Sequence, residues 1–381
     1  MKAEYGWRVR AVTVALCAAL IMGAGGAALA QFDFEGVDCA AVFEAKSMTL
    51  LDGEAAEEKR DVAGLVKLPA LLVICEAMDS GAFAPSDMLT VSERAAHATG
   101  PTAFLEAGES VSADGLMKAA VTITAADAIV TLAEHCMAES EFVSRINKRL
   151  AELDIQANAQ DITGGGLTFS CRELAAVGAQ LIKSPTFCAY STMYYEELIH
   201  ADGRRTELAS SNKLLRSLMG CSGVATGSSQ SAGYCGVFSA KRGDSEYVVA
   251  VTGAKSSSAR AEIAGKALEL AFTAYRTVTG VKRGDTVVTV PVKDGQAATV
   301  DLIASKDIVI LLSQSENAQA HITAPELLEA PVLAGSELGR VEYVDENGKV
   351  IAASPLIPGM EVVKATIFDR IKAVFLEWLH A

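Results

Sequence analysis

Serine and lysine three residues apart are one arrangement in this chain that could do covalent chemistry. A serine hydroxyl is a poor nucleophile until a neighbouring base takes its proton, and a lysine side chain can serve as that base. Ser210 stands three residues before Lys213, whereas Ser144 stands four residues before Lys148. The segment Ser210-Ser211-Asn212-Lys213 therefore fits the spacing that a serine–lysine pair requires.

Cysteine and histidine, the usual ligands of transition metals, show no metal-binding pattern. Neither a C-x-x-C pair nor a Cys/His cluster occurs, and the histidines lack the spacing of zinc ligands. Residues 223–233 are rich in glycine and serine but lack the following lysine of a phosphate-binding loop. We therefore expect no metal and no cofactor.

A secretory signal peptide is predicted for residues 1–30. Lys2, Arg8 and Arg10 form a positive segment, an apolar run follows from Ala11 to Met22, and small residues lead up to Ala30. This order is typical of an exported protein that is cleaved after a small residue. The alternative is a retained membrane anchor, which the shortness of the apolar run disfavours.

The composition is that of an acidic chain with ample apolar residues for a large core. Half of the 381 residues are hydrophobic, and the formal net charge is -14. This charge would repel nucleic acid, which we therefore exclude as a partner. A chain of this length has room for two domains. The cysteines beyond residue 30 are odd in number, and we expect most of them to be buried apolar residues rather than disulfides.

Periodicity predicts a mixed α/β region up to residue 277. Two short strands precede residue 52, and residues 234–254 alternate like paired strands with a turn at residues 242–244. Apolar residues at helical spacing predict helices over Gly64–Met78, Ala113–Cys136 (two helices), Glu141–Leu153, Arg172–Ile182 and Ala261–Tyr275.

Residues 278–360 read as a small all-β domain. Short strand-like runs alternate there with Gly, Asp and Asn, and Val341–Val350 has the pattern of a hairpin. The last segment, residues 361–381, is predicted to form an amphipathic helix. Its apolar stripe contains Ile367, Phe368, Ile371, Phe375 and Trp378. On periodicity alone, this stripe could dock on the protein, form an oligomer seam or lie in a membrane interface.

The order of these segments resembles the D-alanyl-D-alanine carboxypeptidase family, the low-molecular-weight penicillin-binding proteins. The segments that carry the resemblance are Ala98-Thr99-Gly100, residues 104–112, Asp127-Ala128, residues 132–135, residues 212–215, residues 232–235 and Ala330-Pro331-Val332. The resemblance implies an α/β (α+β) domain like that of serine β-lactamases over residues 31–277. It also implies a β-sandwich-like domain over 278–360 and a membrane-associating helix over 361–381.

Three motifs carry the chemistry of this family: S-x-x-K with nucleophile and base, S-x-N, and K-T-G, whose lysine and threonine bind the terminal carboxylate of the substrate. By resemblance the first falls on Gly64-Leu65-Val66-Lys67, so glycine replaces the serine. The second falls on Thr124-Ala125-Ala126 and the third on Ala225-Thr226-Gly227. The nucleophile, the amide-binding asparagine and the carboxylate-binding lysine are thus each absent, whereas Lys67, Thr124, Thr226 and Gly227 remain.

Lys67 without its serine has three interpretations: a solvated helix lysine, a cation paired with a carboxylate, or a retained binding residue. The letters of S-x-x-K at residues 210–213 fall in the family's loop before the third motif, far from the first-motif position. A replacement nucleophile such as Cys75, Ser228 or Ser229 has no support from any motif in the sequence.

The resemblance implies a protein of peptidoglycan metabolism at the outer face of the cytoplasmic membrane. Three losses at three separate motifs favour a pseudoenzyme that binds stem peptides or a cell-wall protein partner. The alternative is an active serine-type carboxypeptidase that trims the terminal D-Ala with displaced catalytic residues. By resemblance, the helix that begins at Ile367 would tether the protein to the membrane surface.

Overall fold

The computed structural model describes residues 31–369 and residue 371. The chain divides between Ala274 and Tyr275 into two compact units. The expected signal peptide, residues 1–30, lies outside the described residues.

A five-stranded antiparallel sheet forms the centre of the first unit. In chain order the strands of this unit are β1 (Cys39–Glu44), β2 (Thr49–Glu54), β3 (Met88–Thr90), β4 (Ser110–Ser112), β5 (Tyr195–Ile199), β6 (Arg205–Ala209), β7 (Cys221–Ser229), β8 (Gly233–Arg242) and β9 (Ser245–Ala254). The central sheet has the order β2-β1-β9-β8-β7, whereas β3 pairs with β4 and β5 with β6. The hairpin of β8 and β9 confirms the strands expected over residues 234–254.

Helices cover both faces of this sheet. They are α1 (Leu68–Asp79), α2 (Glu93–Ala96), α3 (Ala113–Thr122), α4 (Ala126–Cys136), α5 (Glu139–Glu152), α6 (Cys171–Leu181), α7 (Pro185–Ser191), α8 (Leu214–Ser217) and α9 (Ser257–Ala274). Neighbouring side chains of a strand point to opposite faces. Accordingly, Val237 of β8 faces Gly178 of α6, whereas the ring of Phe238 lies beneath the guanidinium of Arg260 on α9.

The helix expected from Gly64 begins instead as a 3-10 turn, Ala63–Lys67, and becomes α-helical at Leu68. Proline at position 69 explains the change. Pro69 has no N–H to donate to the carbonyl of Leu65, so the α-helical pattern cannot extend upstream through it. The N–H of Leu68 donates to the Leu65 carbonyl instead, which is the shorter bond of a 3-10 turn.

Helix α1 is buried around most of its circumference. Nine of its twelve residues are buried, from Leu68 through Cys75 and again at Met78. A helix that is apolar on all sides belongs in the interior of a protein. Lys67, the residue that precedes α1, is therefore fixed in place by the core.

The second unit is all-β. Its strands are β10 (Tyr275–Thr279), β11 (Thr286–Lys293), β12 (Thr299–Ala304), β13 (Val309–Ser313), β14 (Gln319–Thr323), β15 (Leu328–Glu329), β16 (Gly339–Val344) and β17 (Val350–Pro358). Six of them form a sheet of order β14-β16-β17-β12-β11-β15, and β10 pairs with β13. The hairpin of β16 and β17 confirms the one expected around residues 345–348.

The end of the described chain is helical at residues 367–369 and 371. Ile367, Phe368 and Ile371 expose 75%, 84% and 61% of their surface. Phe375 and Trp378, the other members of the expected apolar stripe, lie outside the described residues. Among residues 31–369 and 371, no helix has the length and apolar character needed to cross a membrane.

Candidate functional site

Lys67 is a buried cation at the start of α1. Its residue surface is only 4% exposed. Removal from water disfavours the charged ammonium and lowers the pKa of Lys67 to about 8, although the negative charge of Asp127 acts in the opposite direction. Within the described part of the chain, its ammonium makes neither a hydrogen bond nor an ion pair. Its low exposure and its lack of a direct carboxylate contact do not favour the solvated lysine or the carboxylate-paired lysine.

Gly64 lies directly beside Lys67 and Thr124. A Cβ atom built on Gly64 would be 3.5 Å from Oγ1 of Thr124 and 3.9 Å from Nζ of Lys67. These are ordinary van der Waals distances, so a Cβ atom would fit at this position without displacing its neighbours. The position that lacks a side chain is thus the one that faces both a hydroxyl and an amine.

The strand that carries the third motif lies against the same turn. A Cβ atom built on Gly227 of β7 would come within 3.1 Å of the backbone nitrogen of Gly64. The close approach of the two backbones requires a residue without a bulky side chain at position 227. The structure therefore brings together four of the predicted site residues: Gly64, Lys67, Thr124 and Gly227.

The other three motif positions contribute little polar chemistry. Ala126, the first residue of α4, is fully buried, and its N–H donates to the carbonyl of Pro101. Ala225 is buried within the main hydrophobic core. Thr226 shares a hydrogen bond of 2.5 Å with the hydroxyl of Ser211. The two alanines thus offer only buried methyl groups.

Thr124 has an unusual backbone conformation. Its φ is +51°, a region that β-branched residues rarely adopt. Such a conformation costs about 1–3 kcal/mol and persists where the surrounding structure imposes it. Here Thr124 connects α3 to α4 and is almost completely buried, so its hydroxyl is held in the space beside Gly64.

Asp127 is a site residue that the motif analysis did not single out. It is 1% exposed, and its carboxylate accepts hydrogen bonds from the N–H groups of Ala103, Leu105 and Ala128. Asp127 thereby holds the loop of residues 103–105 against the start of α4. Its place directly after the second motif, at the first turn of an expected helix, was the available signal.

Arg260 is the second residue that sequence analysis missed. This fully buried guanidinium donates to the backbone carbonyls of Gly227, Cys235 and Ser211. Burial lowers the pKa of Arg260 to about 10. Because Gly227 and Ser211 belong to segments that border the site, Arg260 is a positioning residue. A lone arginine in a helix pattern gives no sequence signal for this role.

Among the described residues, the alternative nucleophiles Ser210 and Cys75 have no lysine or histidine base beside them. Lys213 donates to the hydroxyl of Ser258, whereas Ser210 accepts from the N–H of Asn212. Cys75 is fully buried, and burial raises the pKa of its thiol well above the usual range. Ser229 donates to the carboxylate of Asp61 at 3.3 Å. Neither the 210–213 segment nor Cys75 therefore has the arrangement that covalent catalysis needs.

His200 and His135 have structural contacts. His200 is buried between the carboxylate of Glu109 at 2.8 Å and the hydroxyl of Thr206 at 2.9 Å. The ring of His135 packs edge-on against Phe83. Within residues 31–369 and 371, no group of three His, Cys, Asp or Glu residues is arranged to hold a metal ion.

Comparison with known proteins identifies the family. Residues 36–256 match the family described as D-alanyl-D-alanine carboxypeptidase, which is more than half of the chain. The chain belongs to the D-alanyl-D-alanine carboxypeptidase family. Residues 275–364 also match the C-terminal domain of penicillin-binding protein 5.

Individual members of the carboxypeptidase family resemble the chain over most of their length. The D-alanyl-D-alanine carboxypeptidase DacF of Bacillus subtilis is 30% identical over 351 residues, which cover 88% of this chain and 90% of DacF. The carboxypeptidase DacC of Escherichia coli is 30% identical over 347 residues, covering 86% of this chain and 84% of DacC.

Solved structures of penicillin-binding proteins share the fold. Penicillin-binding protein 5 of Haemophilus influenzae superimposes with a TM-score of 0.72 at 23% identity, over 86% of this chain and 98% of that chain. Penicillin-binding protein 6B of Escherichia coli superimposes with a TM-score of 0.66 at 22% identity, over 86% and 96% of the two chains. The expected fold class is thereby confirmed: an α/β penicillin-binding-protein domain followed by an all-β domain.

Proposed function

We propose that this chain is a catalytically inactive carboxypeptidase homologue that acts on the cell wall by binding peptidoglycan stem peptides. The observation that carries the proposal is the environment of Gly64. The buried amine of Lys67 and the hydroxyl of Thr124 surround the position of the nucleophile, but glycine supplies no oxygen there. The surroundings of the reacting group are retained while the reacting group is absent.

The loss of the nucleophile accounts for most of the expected loss of rate. In serine hydrolases that act through a triad, removal of the nucleophile alone costs about 10⁶-fold, nearly as much as removal of the whole unit. Ala126 and Ala225 add to the expected loss of rate, since their methyl groups can bind neither a substrate amide nor a carboxylate. What remains are the amine of Lys67 and the hydroxyl of Thr124, without a hydroxyl at the position of the nucleophile.

The cell-wall location forms part of the proposal. Peptidoglycan lies outside the cytoplasmic membrane, which agrees with a signal peptide over residues 1–30. The exposed Ile367, Phe368 and Ile371 support membrane association through the helix that begins there. Deletion of residues 365–381 is expected to abolish co-sedimentation with liposomes, and sedimentation of the truncated protein would refute the tether.

An active carboxypeptidase with displaced residues is the second candidate. It is favoured by the pKa of Lys67 near 8, because part of the amine is then neutral under physiological conditions and can accept a proton. The hydroxyl of Thr124 would have to replace the missing serine. On this account the protein would release D-alanine from a stem pentapeptide.

A binding measurement tests the proposal. The mature protein is titrated with diacetyl-L-lysyl-D-alanyl-D-alanine in a calorimeter, and the same mixture is assayed for free D-alanine. The proposal predicts binding without release of D-alanine, and no binding of the matched L-alanyl-L-alanine peptide. Catalytic release of D-alanine would refute inactivity, and equal binding of both peptides would refute stem-peptide recognition.

A further inference from the structure

The ammonium of Lys67 lies between two glycines. A Cβ atom on Gly64 would be 3.9 Å from Nζ of Lys67, and a Cβ atom on Gly100 would be 3.7 Å from it. Gly100 has a φ of +101°, which other residues rarely adopt, so this side of the space is kept open by the backbone itself. The charge of Lys67 therefore borders space that two absent side chains leave free.

The carboxylate of Asp127 does not neutralise Lys67 by direct contact. Its two oxygens accept from the N–H groups of Ala103, Leu105 and Ala128, at distances between 2.8 and 3.1 Å. Its negative charge acts on Lys67 from a distance and favours the ammonium. A buried ammonium without a direct partner is costly, and a bound anion would remove much of that cost.

Two other positions near Gly227, Ala225 and Arg260, provide no free cation. Ala225 provides a methyl group where the family's third motif has its carboxylate-binding lysine. The guanidinium of Arg260 points at the carbonyls of Gly227, Cys235 and Ser211. Among Lys67, Ala225 and Arg260, Lys67 is the residue whose charge has no hydrogen-bond or ion-pair partner. The hydroxyl of Thr124 faces the same space and adds a second donor.

We propose that Lys67 has become the carboxylate-binding residue of this cleft and holds the C-terminal carboxylate of a peptide. The proposal rests on the proposed function and specifies its recognition chemistry. The carboxylate would occupy the space beside Gly64, where an active enzyme has its nucleophile. A ligand held in this way binds by its terminal charge, and position 64 offers its final amide bond no nucleophile.

The pH dependence of binding follows from the same geometry. The pKa of Lys67 is about 8 in the free protein, so the ammonium predominates at pH 7 and the neutral amine at pH 9. Asp127 of α4 is the charged group that acts on Lys67, while the uncharged Gly64 and Gly100 border its ammonium. Affinity for a carboxylate should therefore fall about tenfold from pH 7 to pH 9.

Calorimetry with diacetyl-L-lysyl-D-alanyl-D-alanine and its C-terminal amide tests the proposal. At pH 7 the acid should bind about tenfold or more tightly than the amide, and Lys67→Met should remove this preference. Lys148→Met, which changes an exposed lysine of α5, should retain it. Gly64→Ser should weaken binding of the acid, because the added hydroxymethyl group fills the space for the carboxylate.

The outcomes separate this inference from the proposed function. Equal binding of acid and amide to the natural protein would overturn the role of Lys67 while leaving stem-peptide binding intact, and this comparison requires no variant. Retention of the acid preference in a folded Lys67→Met protein would also overturn it. Binding of neither peptide would overturn both proposals.

Discussion

Lys67 and Asp127 are buried opposite charges that make no ion pair. The carboxylate of Asp127 is turned toward the backbone N–H groups of Ala103, Leu105 and Ala128. The ammonium of Lys67 receives only the more distant effect of that charge. Asp127 therefore holds the loop of residues 103–105 against the start of α4, while Lys67 is left without a direct partner.

Asp127→Asn should destabilise the fold by about 2–4 kcal/mol. The amide can present only one acceptor oxygen where the carboxylate presents two, and its NH₂ group would face a backbone N–H of the 103–105 loop. Urea unfolding followed by circular dichroism measures the loss. Asp345→Asn is the control, because the half-buried Asp345 accepts from two backbone N–H groups in hydrogen bonds that are exposed to solvent. The control should change the free energy of unfolding by less than about 1 kcal/mol, and equal effects would contradict the role of Asp127.

Lys67→Met should stabilise the protein at neutral pH. The folded chain holds the pKa of Lys67 at about 8, below its ordinary value of 10.5, so the unfolded chain binds more protons between these pH values. The wild-type protein consequently gains stability as the pH rises through this window. The variant lacks the buried charge and should exceed the wild type by up to about 3 kcal/mol at pH 7.

Urea unfolding at pH 7 and pH 10 checks this linkage. Most of the difference between Lys67→Met and the wild type should disappear at pH 10, because the wild-type amine is then neutral when folded. Tyrosine and cysteine titrations are common to both proteins and cancel in the comparison. A difference that does not change with pH would show that Lys67 carries no uncompensated charge.

Gly64→Ser should give the protein a slow reaction with penicillin. A Cβ atom at position 64 would lie 3.9 Å from Nζ of Lys67, so the hydroxyl of a serine there is expected to reach the amine, which can take its proton. Acylation should remain well below that of an active family member because Ala126 and Ala225 still lack their polar groups. Time-dependent labelling by a fluorescent penicillin measures it. The double variant Gly64→Ser, Lys67→Met is the control, and labelling of that control would rule out Lys67 as the base.

The sequence predicted the fold more fully than it predicted the site. Alternating β-branched residues predicted the β8–β9 hairpin, because strands with one or two buried faces need that pattern. The resemblance placed Gly64 and Lys67 three residues apart on one element, and the structure brings Thr124 and Gly227 to them. Their proximity across the chain depends on the packing of β7 against the turn, which no local pattern specifies.

Two features of the site could not be predicted from the sequence. Lys67 lacks an ion pair because the Asp127 carboxylate instead accepts hydrogen bonds from backbone N–H groups of a distant loop. Arg260 lies 33 residues after Gly227, yet it fixes the carbonyl of that residue. Both features arise from tertiary hydrogen bonds between a side chain and the backbone. Every residue type has these backbone groups, so the sequence does not indicate which of them will be bonded.

Labelling of the purified wild-type protein with a fluorescent penicillin tests the central claim most directly. Penicillin acylates the serine nucleophile of this family, and the covalent adduct survives denaturing electrophoresis. Because Gly64 offers no oxygen beside Lys67, the account predicts no labelled band under conditions that label an active carboxypeptidase. A stoichiometric band on the wild-type protein that is abolished by prior incubation with unlabelled penicillin would contradict it.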